Sequence, residues 1–251
     1  MQRSEKNLWP LVLLWLGTAS SLLFAMADYG TTAGHAAEPP GTLLHSNSAW
    51  LDTKTPKPTL LLFAHPLCPC TRASLSELES VAHKLDGLFN PHILFFEPKD
   101  KSTMSDVWAA SDLKAIAARI PGAQSHADVD GVLAAQFGSY TSGQVLLYDT
   151  DGELQFAGGI TPSRGHTGSN PGRAKIISTI LSDERVDPLL AGTSPVFGCS
   201  VLDQKTHDRK LPLATVIAEL PVVDAAVAGG SKPLVEQGSS KRTDNTDGVR
   251  S

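Results

Sequence analysis

The sequence predicts an α/β domain: a mixed sheet with helices on both faces, preceded by a transmembrane helix. Three observations predict it. Two short, continuous apolar runs, Thr59–Ala64 and His92–Glu97, flank a helix-periodic stretch, the pattern of a βαβ unit. Two further strand-like runs, Gln144–Asp149 and Glu153–Ala157, are joined by Asp151-Gly152, a hairpin signal. At the N-terminus, Leu8–Ala27 contains no charged residue.

That first segment is long enough, at about 1.5 Å per helical residue, to span a hydrocarbon core of roughly 30 Å. Pro10 sits in its first turn, where a missing N–H is tolerated. Arg3 and Lys6 precede it, and no Lys or Arg follows until Lys54. The positive-inside bias therefore puts residues 1–7 in the cytoplasm and the remainder on the far side of the membrane. Ala25-Met26-Ala27 also has the form of a cleavage site, in which case the chain is exported and released. The Pro- and Gly-containing stretch 28–57 reads as a linker holding the domain away from the membrane.

Within the domain, Pro66 and Pro69 end the first apolar run. The next stretch turns helical, with Leu75, Leu78, Ala82 and Leu85 on one face. A second helical stretch is expected over roughly 106–120 and a short one over 130–137. After the hairpin, a Gly-rich loop from Gly158 to Gly168 leads to a helix with Asn170 as N-cap and Pro171 at its first position. Ile176, Ile177, Ile180 and Leu181 form its apolar face. The domain is placed at 58–200, and 201–251 reads as a C-terminal extension with a polar, disordered end.

Composition removes several classes of function. Lys and Arg total 21 against 26 Asp and Glu, a net charge of −5, so a basic nucleic-acid-binding surface is excluded as the main feature. Three cysteines are too few for a small disulfide scaffold. No P-loop, dinucleotide fingerprint or G-x-S-x-G occurs. Asp149 and Asp151 fit turn chemistry better than acid–base work.

The chemistry concentrates at Cys68-Pro69-Cys70-Thr71, between the first strand and its helix. Pro69 suits a first helical turn, which puts Cys68 at the cap. There the free N–H groups and the positive helix end favour a thiolate, the reactive form. His65 and Arg72 lie close in sequence and can add positive potential. Buried, inert cysteines are the competing reading of such a pair.

The segments Thr59–Leu78 (TLLLFAHPLCPCTRASLSEL) and Phe137–Gly158 (FGSYTSGQVLLYDTDGELQFAG) resemble the thioredoxin-like superfamily, particularly its membrane-anchored extracytoplasmic members. With Gly158–Arg173 (GGITPSRGHTGSNPGR) they are most similar to a redoxin subgroup labelled RedB. The resemblance implies a three-layer α/β sandwich and an extracytoplasmic thiol–disulfide oxidoreductase, periplasmic and held in a bacterial inner membrane by a signal-anchor. It needs no cofactor and acts on protein thiols or disulfides. It places the nucleophile on Cys68 and the usual resolving position on Thr71, which can hydrogen-bond the thiolate. Gly143 falls where the family usually has a cis-proline shaping the substrate groove, and Arg164 and His166 lie beside the active-site turn as candidate substrate contacts.

Three redox arrangements stay open: a tight Cys68–Cys70 disulfide, resolution of Cys68 or Cys70 by Cys199, and Cys68 acting alone through mixed disulfides. Cys199 reads equally as a packed structural thiol. A different chemistry is copper binding by His65, Cys68, Cys70 and His166, since soft thiolates and imidazole suit Cu(I). This would fit a copper chaperone or oxidase assembly factor. A third reading is a thioredoxin-like module that binds a partner without catalysis.

Overall fold

The computed structural model describes residues 8–42, 57–99, 111–182 and 191–201. The expectations for 1–7, for 43–56 of the linker, for the start of the second helical stretch and for 202–251 lie outside the described residues.

The chain enters through α1 (Trp9–Thr31), a helix with no buried residue, long and apolar enough to cross a membrane. Its polar side chains turn inward to the backbone. Thr18 donates to the Trp15 carbonyl and Ser21 to that of Gly17, which pairs these two hydroxyls within the helix. The domain then runs β1 (Thr59–Ala64), α2 (Pro69–Lys84), β2 (Asn90–Glu97), α3 (Asp112–Ala117), β3 (Gln124–Val129), α4 (Val132–Gln136), β4 (Gln144–Tyr148), β5 (Leu154–Gly159), α5 (Pro171–Ser182) and β6 (Gly192–Ser194).

The strands form one mixed sheet in the order β3-β2-β1-β4-β5-β6. β1, β2 and β3 are mutually parallel. β4 runs antiparallel to both β1 and β5, and β6 is parallel to β5. Alternate residues of β1 feed two cores. Leu60 and Leu62 join Leu75, Leu78, Leu85 and Ile176 on one face, whereas Leu61 and Phe63 join Leu133, Phe137 and Tyr148 on the other. Helices therefore cover both faces, and the fold is thioredoxin-like as the resemblance implied.

Four local details differ from the sequence expectation. β3 is a strand where none was expected. Its residues QSHADV are polar because it is the edge of the sheet and half-exposed. Helix α3 closes at Ala117, before the Ile120 end of the expected stretch. Leu181, assigned to the apolar face of α5, is exposed, although Ile176 is fully buried. Residues 29–42, expected as part of a spacer, lie against the domain: the Gly34 N–H donates to Val196, that of Ala37 to Gly138, and the Tyr148 hydroxyl donates to Pro40.

Candidate functional site

The β1–α2 junction supplies one bank of the site. Cys68 is the N-cap of α2 and Pro69 occupies the first helical position. The turn is closed by the Cys68 N–H donating to the His65 carbonyl and the Thr71 N–H to the Cys68 carbonyl. Cys68 and Cys70 are both buried.

The opposite bank is a strap, residues 195–201, which the sequence did not reveal. It pairs backbone to backbone with the loop before β4. Thr141 and Ser200 form an antiparallel bridge, the Ser142 N–H donates to the Cys199 carbonyl, and the Val201 N–H donates to Tyr140. The approach is so close that a Cβ on Gly198 would fall 1.8 Å from the Ser142 carbonyl oxygen. Only glycine allows the strap to lie there.

This pairing delivers Cys199 to Cys68. Their Sγ atoms are 2.9 Å apart, and the three sulfurs of Cys68, Cys70 and Cys199 all lie within 4.8 Å of one another. Burial opposes ionisation of Cys68, but the Cys199 thiol and backbone hydrogen bonds from Cys199, Cys70 and Thr71 outweigh it. The Cys68 thiol is held below the ordinary cysteine value. Burial and the neighbouring Cys68 push Cys199 up to about 12. Cys70 is raised by the same two causes, with Arg164 opposing. The cluster thus has one favoured thiolate and two thiols.

The other sequence candidates take different places from those expected. The Thr71 hydroxyl donates to the His65 carbonyl and meets the Ser142 hydroxyl, so its side chain braces the turn while its backbone N–H serves Cys68. Gly143 has φ +92 and donates its N–H to Phe63, and a Cβ there would lie 2.7 Å from the Ser74 hydroxyl. Proline fits none of these conditions.

Arg164 is a clamp rather than an open anion contact. Its guanidinium donates to the carbonyls of Gly198, Tyr29 and Thr32 and lies over the Tyr29 ring. It therefore ties the strap to the end of α1. His166 is exposed, with Nδ1 2.7 Å from the Arg164 carbonyl oxygen.

His65 is disfavoured as a cation. Burial lowers its pKa, its ring stacks on Phe96, and Nδ1 accepts from the Leu67 N–H. Arg72 faces Asp112 at 2.7 Å on the exposed surface. Neither His65 nor His166 belongs to the mutually close ligand atoms among the described residues, whereas Cys199 does.

No protein-family model matches the chain, and no curated protein matches it in sequence. Solved structures similar to it include an uncharacterized conserved protein from Geobacillus kaustophilus, at 15% identity and TM-score 0.48, covering 70% of this chain and 95% of that one. A hypothetical protein from Sinorhizobium meliloti 1021 is 18% identical, with TM-score 0.45 and coverage of 68% and 96%. A secreted Mycobacterium tuberculosis disulfide oxidoreductase homologous to E. coli DsbE is 17% identical, with TM-score 0.33 and coverage of 51% and 83%.

Proposed function

We propose that the protein is an extracytoplasmic thiol–disulfide oxidoreductase in which Cys68 attacks and Cys199 resolves. The observation that carries this reading is the 2.9 Å separation of these two sulfurs, with Cys68 at the head of a 16-residue helix. The uncharged run Leu8–Ala27, with Arg3 and Lys6 on its leading side, supports a position outside the cytoplasm, where disulfides persist.

In the reducing direction, the Cys68 thiolate attacks one sulfur of a protein disulfide. The substrate S–S bond breaks, and the departing sulfur leaves as a thiolate. Cys199 then attacks the Cys68 sulfur of the mixed disulfide, its proton passing to a departing substrate thiolate. The Cys68–Cys199 bond closes and the second substrate thiol is released. Two electrons pass from the chain to the substrate, and the reverse sequence oxidises a substrate dithiol. Cys70, expected from sequence as a local partner, takes no part in this scheme.

The test is turnover of a protein disulfide by the pre-reduced full chain in detergent, followed in a single turnover with no free thiol present. Cys68→Ser abolishes turnover, Cys199→Ser stalls it as a covalent substrate adduct on Cys68, and Cys70→Ser sustains it. Turnover that survives Cys199→Ser but not Cys70→Ser would transfer the resolving role to Cys70.

A further inference from the structure

We propose that the reduced protein binds one Cu(I) ion through the thiolates of Cys68, Cys70 and Cys199. This goes beyond the exchange reaction, which leaves Cys70 without a task although its sulfur lies within 4.8 Å of both others.

The geometry and donor set point to this ion. A metal–thiolate bond of roughly 2.3 Å places the three sulfurs of a trigonal ion about 4 Å apart. The three sulfurs lie within 4.8 Å of one another, and Cys68 and Cys199, at 2.9 Å, need to separate by only about 1 Å. Soft thiolates suit Cu(I) and zinc among the biological first-row ions. Structural zinc takes four ligands, and the mutually close ligand atoms among the described residues number three, all sulfur.

The surroundings suit the product. One Cu(I) with three thiolates carries a net charge of −2. That charge would sit between the N-terminus of α2 and the Arg164 guanidinium, which is fixed on the Gly198 carbonyl one residue from Cys199. Cys68 and Cys70 are buried, so water does not compete strongly for the ion.

The three ligands come from two chain segments 131 residues apart, counted between Cys68 and Cys199, so binding requires the strap to be seated. The same sulfurs also make binding conditional on redox state. A Cys68–Cys199 disulfide removes two of the three ligands, so oxidation of the pair excludes the ion and reduction restores the site.

The test is an anaerobic titration of the reduced full chain in detergent with Cu(I), in competition with a chromophoric Cu(I) chelator. Circular dichroism confirms that each variant is folded. One Cu(I) per chain is expected, with X-ray absorption showing three sulfurs and no nitrogen in the first shell. Cys70→Ser is the decisive variant because it leaves the Cys68–Cys199 pair intact. It should weaken binding by roughly 100-fold or more, above the effect of losing an outer-shell partner.

Pre-oxidised chain should bind no copper, whereas His65→Ala and His166→Ala should bind as wild type. Binding unchanged in Cys70→Ser, nitrogen in the first shell, or no Cu(I) bound at all would overturn the proposal. Because disulfide turnover is read separately in the same variants, failure of copper binding with intact turnover is distinguishable from failure of the exchange reading.

Discussion

The two banks of the cysteine site are built by different physics. The α2 bank is local: an apolar strand, a proline turn and a helix cap place Cys68 within a few residues of chain. The strap bank is made at long range. Cys199 reaches the site because Gly198 has no side chain, because 199–201 pairs with 140–142, and because Arg164 holds the Gly198 carbonyl. The first bank sets nucleophilicity through a helix terminus and backbone N–H groups. On the proposed reading, the second determines which thiol resolves the intermediate.

The largest effects separate the banks outright. Cys68→Ser should lower disulfide turnover by roughly a thousandfold or more, since no other favoured thiolate exists in the cluster. Cys199→Ser should leave the first attack intact and accumulate one substrate adduct per chain, measured by non-reducing electrophoresis and intact mass.

A smaller effect should follow from Gly198→Ala. Its methyl would collide with the Ser142 carbonyl oxygen, forcing the strap outward. A displacement of the order of 1 Å costs about 100-fold in a positioned reaction. That loss should appear in the resolving step, measured as the decay of a preformed mixed disulfide. The rate at which Cys68 reacts with an alkylating probe should change little.

Arg164→Ala acts on the same bank more gently. It removes a charged hydrogen bond to Gly198, worth about 1.5–3 kcal/mol when both partners are shielded and less here because the groups are part-exposed. The resolving step should slow roughly tenfold. Arg164→Lys should restore little of it, because a single ammonium cannot reach the carbonyls of Gly198, Tyr29 and Thr32 together.

The smallest effect on the site is expected at the far edge of the sheet. Burial raises Asp128 to about 7 against its two backbone N–H donors, Leu133 and Ala134, and lowers His126 to about 4. A raised carboxylate pKa gives stability that is present below the ordinary value of 3.8 and lost as pH rises through 7. A lowered histidine pKa gives stability that is present above 6.5 and lost as pH falls through 4. The two oppose each other over the same window.

Asp128→Asn should therefore unmask a rise in melting temperature from pH 4 to 6.5 that the wild type lacks. The stability gap between the two proteins should change by up to about 4 kcal/mol between pH 4 and 8. Disulfide turnover, controlled by banks remote from this edge, should be unaffected.

The contrast between the banks also marks what the sequence could disclose. The head of α2, its buried face at Leu75, Leu78, Ala82 and Leu85, the Asp151-Gly152 hairpin and the Asn170 cap were all legible, because each depends on neighbours in sequence. The Arg173 N–H does donate to the Asn170 side chain, at 2.7 Å. β3 was not legible, because an edge strand does not need an apolar pattern.

The pairing of Cys199 with Cys68 was one open arrangement among three, because nothing local fixes a register between segments so distant in sequence. Its one sequence signal was Phe197-Gly198-Cys199: a glycine beside a cysteine, where the backbone must approach another strand closely. The sequence shows Arg164 only as a cation in the Gly-rich loop, whereas its role as a clamp depends on Tyr29 and Gly198, which only the fold brings to it.

The most direct test is disulfide mapping of the full chain after equilibration in glutathione buffers of graded potential, quenched by rapid alkylation and read by mass spectrometry of peptides. A reversible two-electron transition that joins Cys68 to Cys199, with Cys70 alkylated throughout, is the expected result. A transition that joins Cys68 to Cys70 and leaves Cys199 alkylated would contradict the assignment of the strap as the resolving bank.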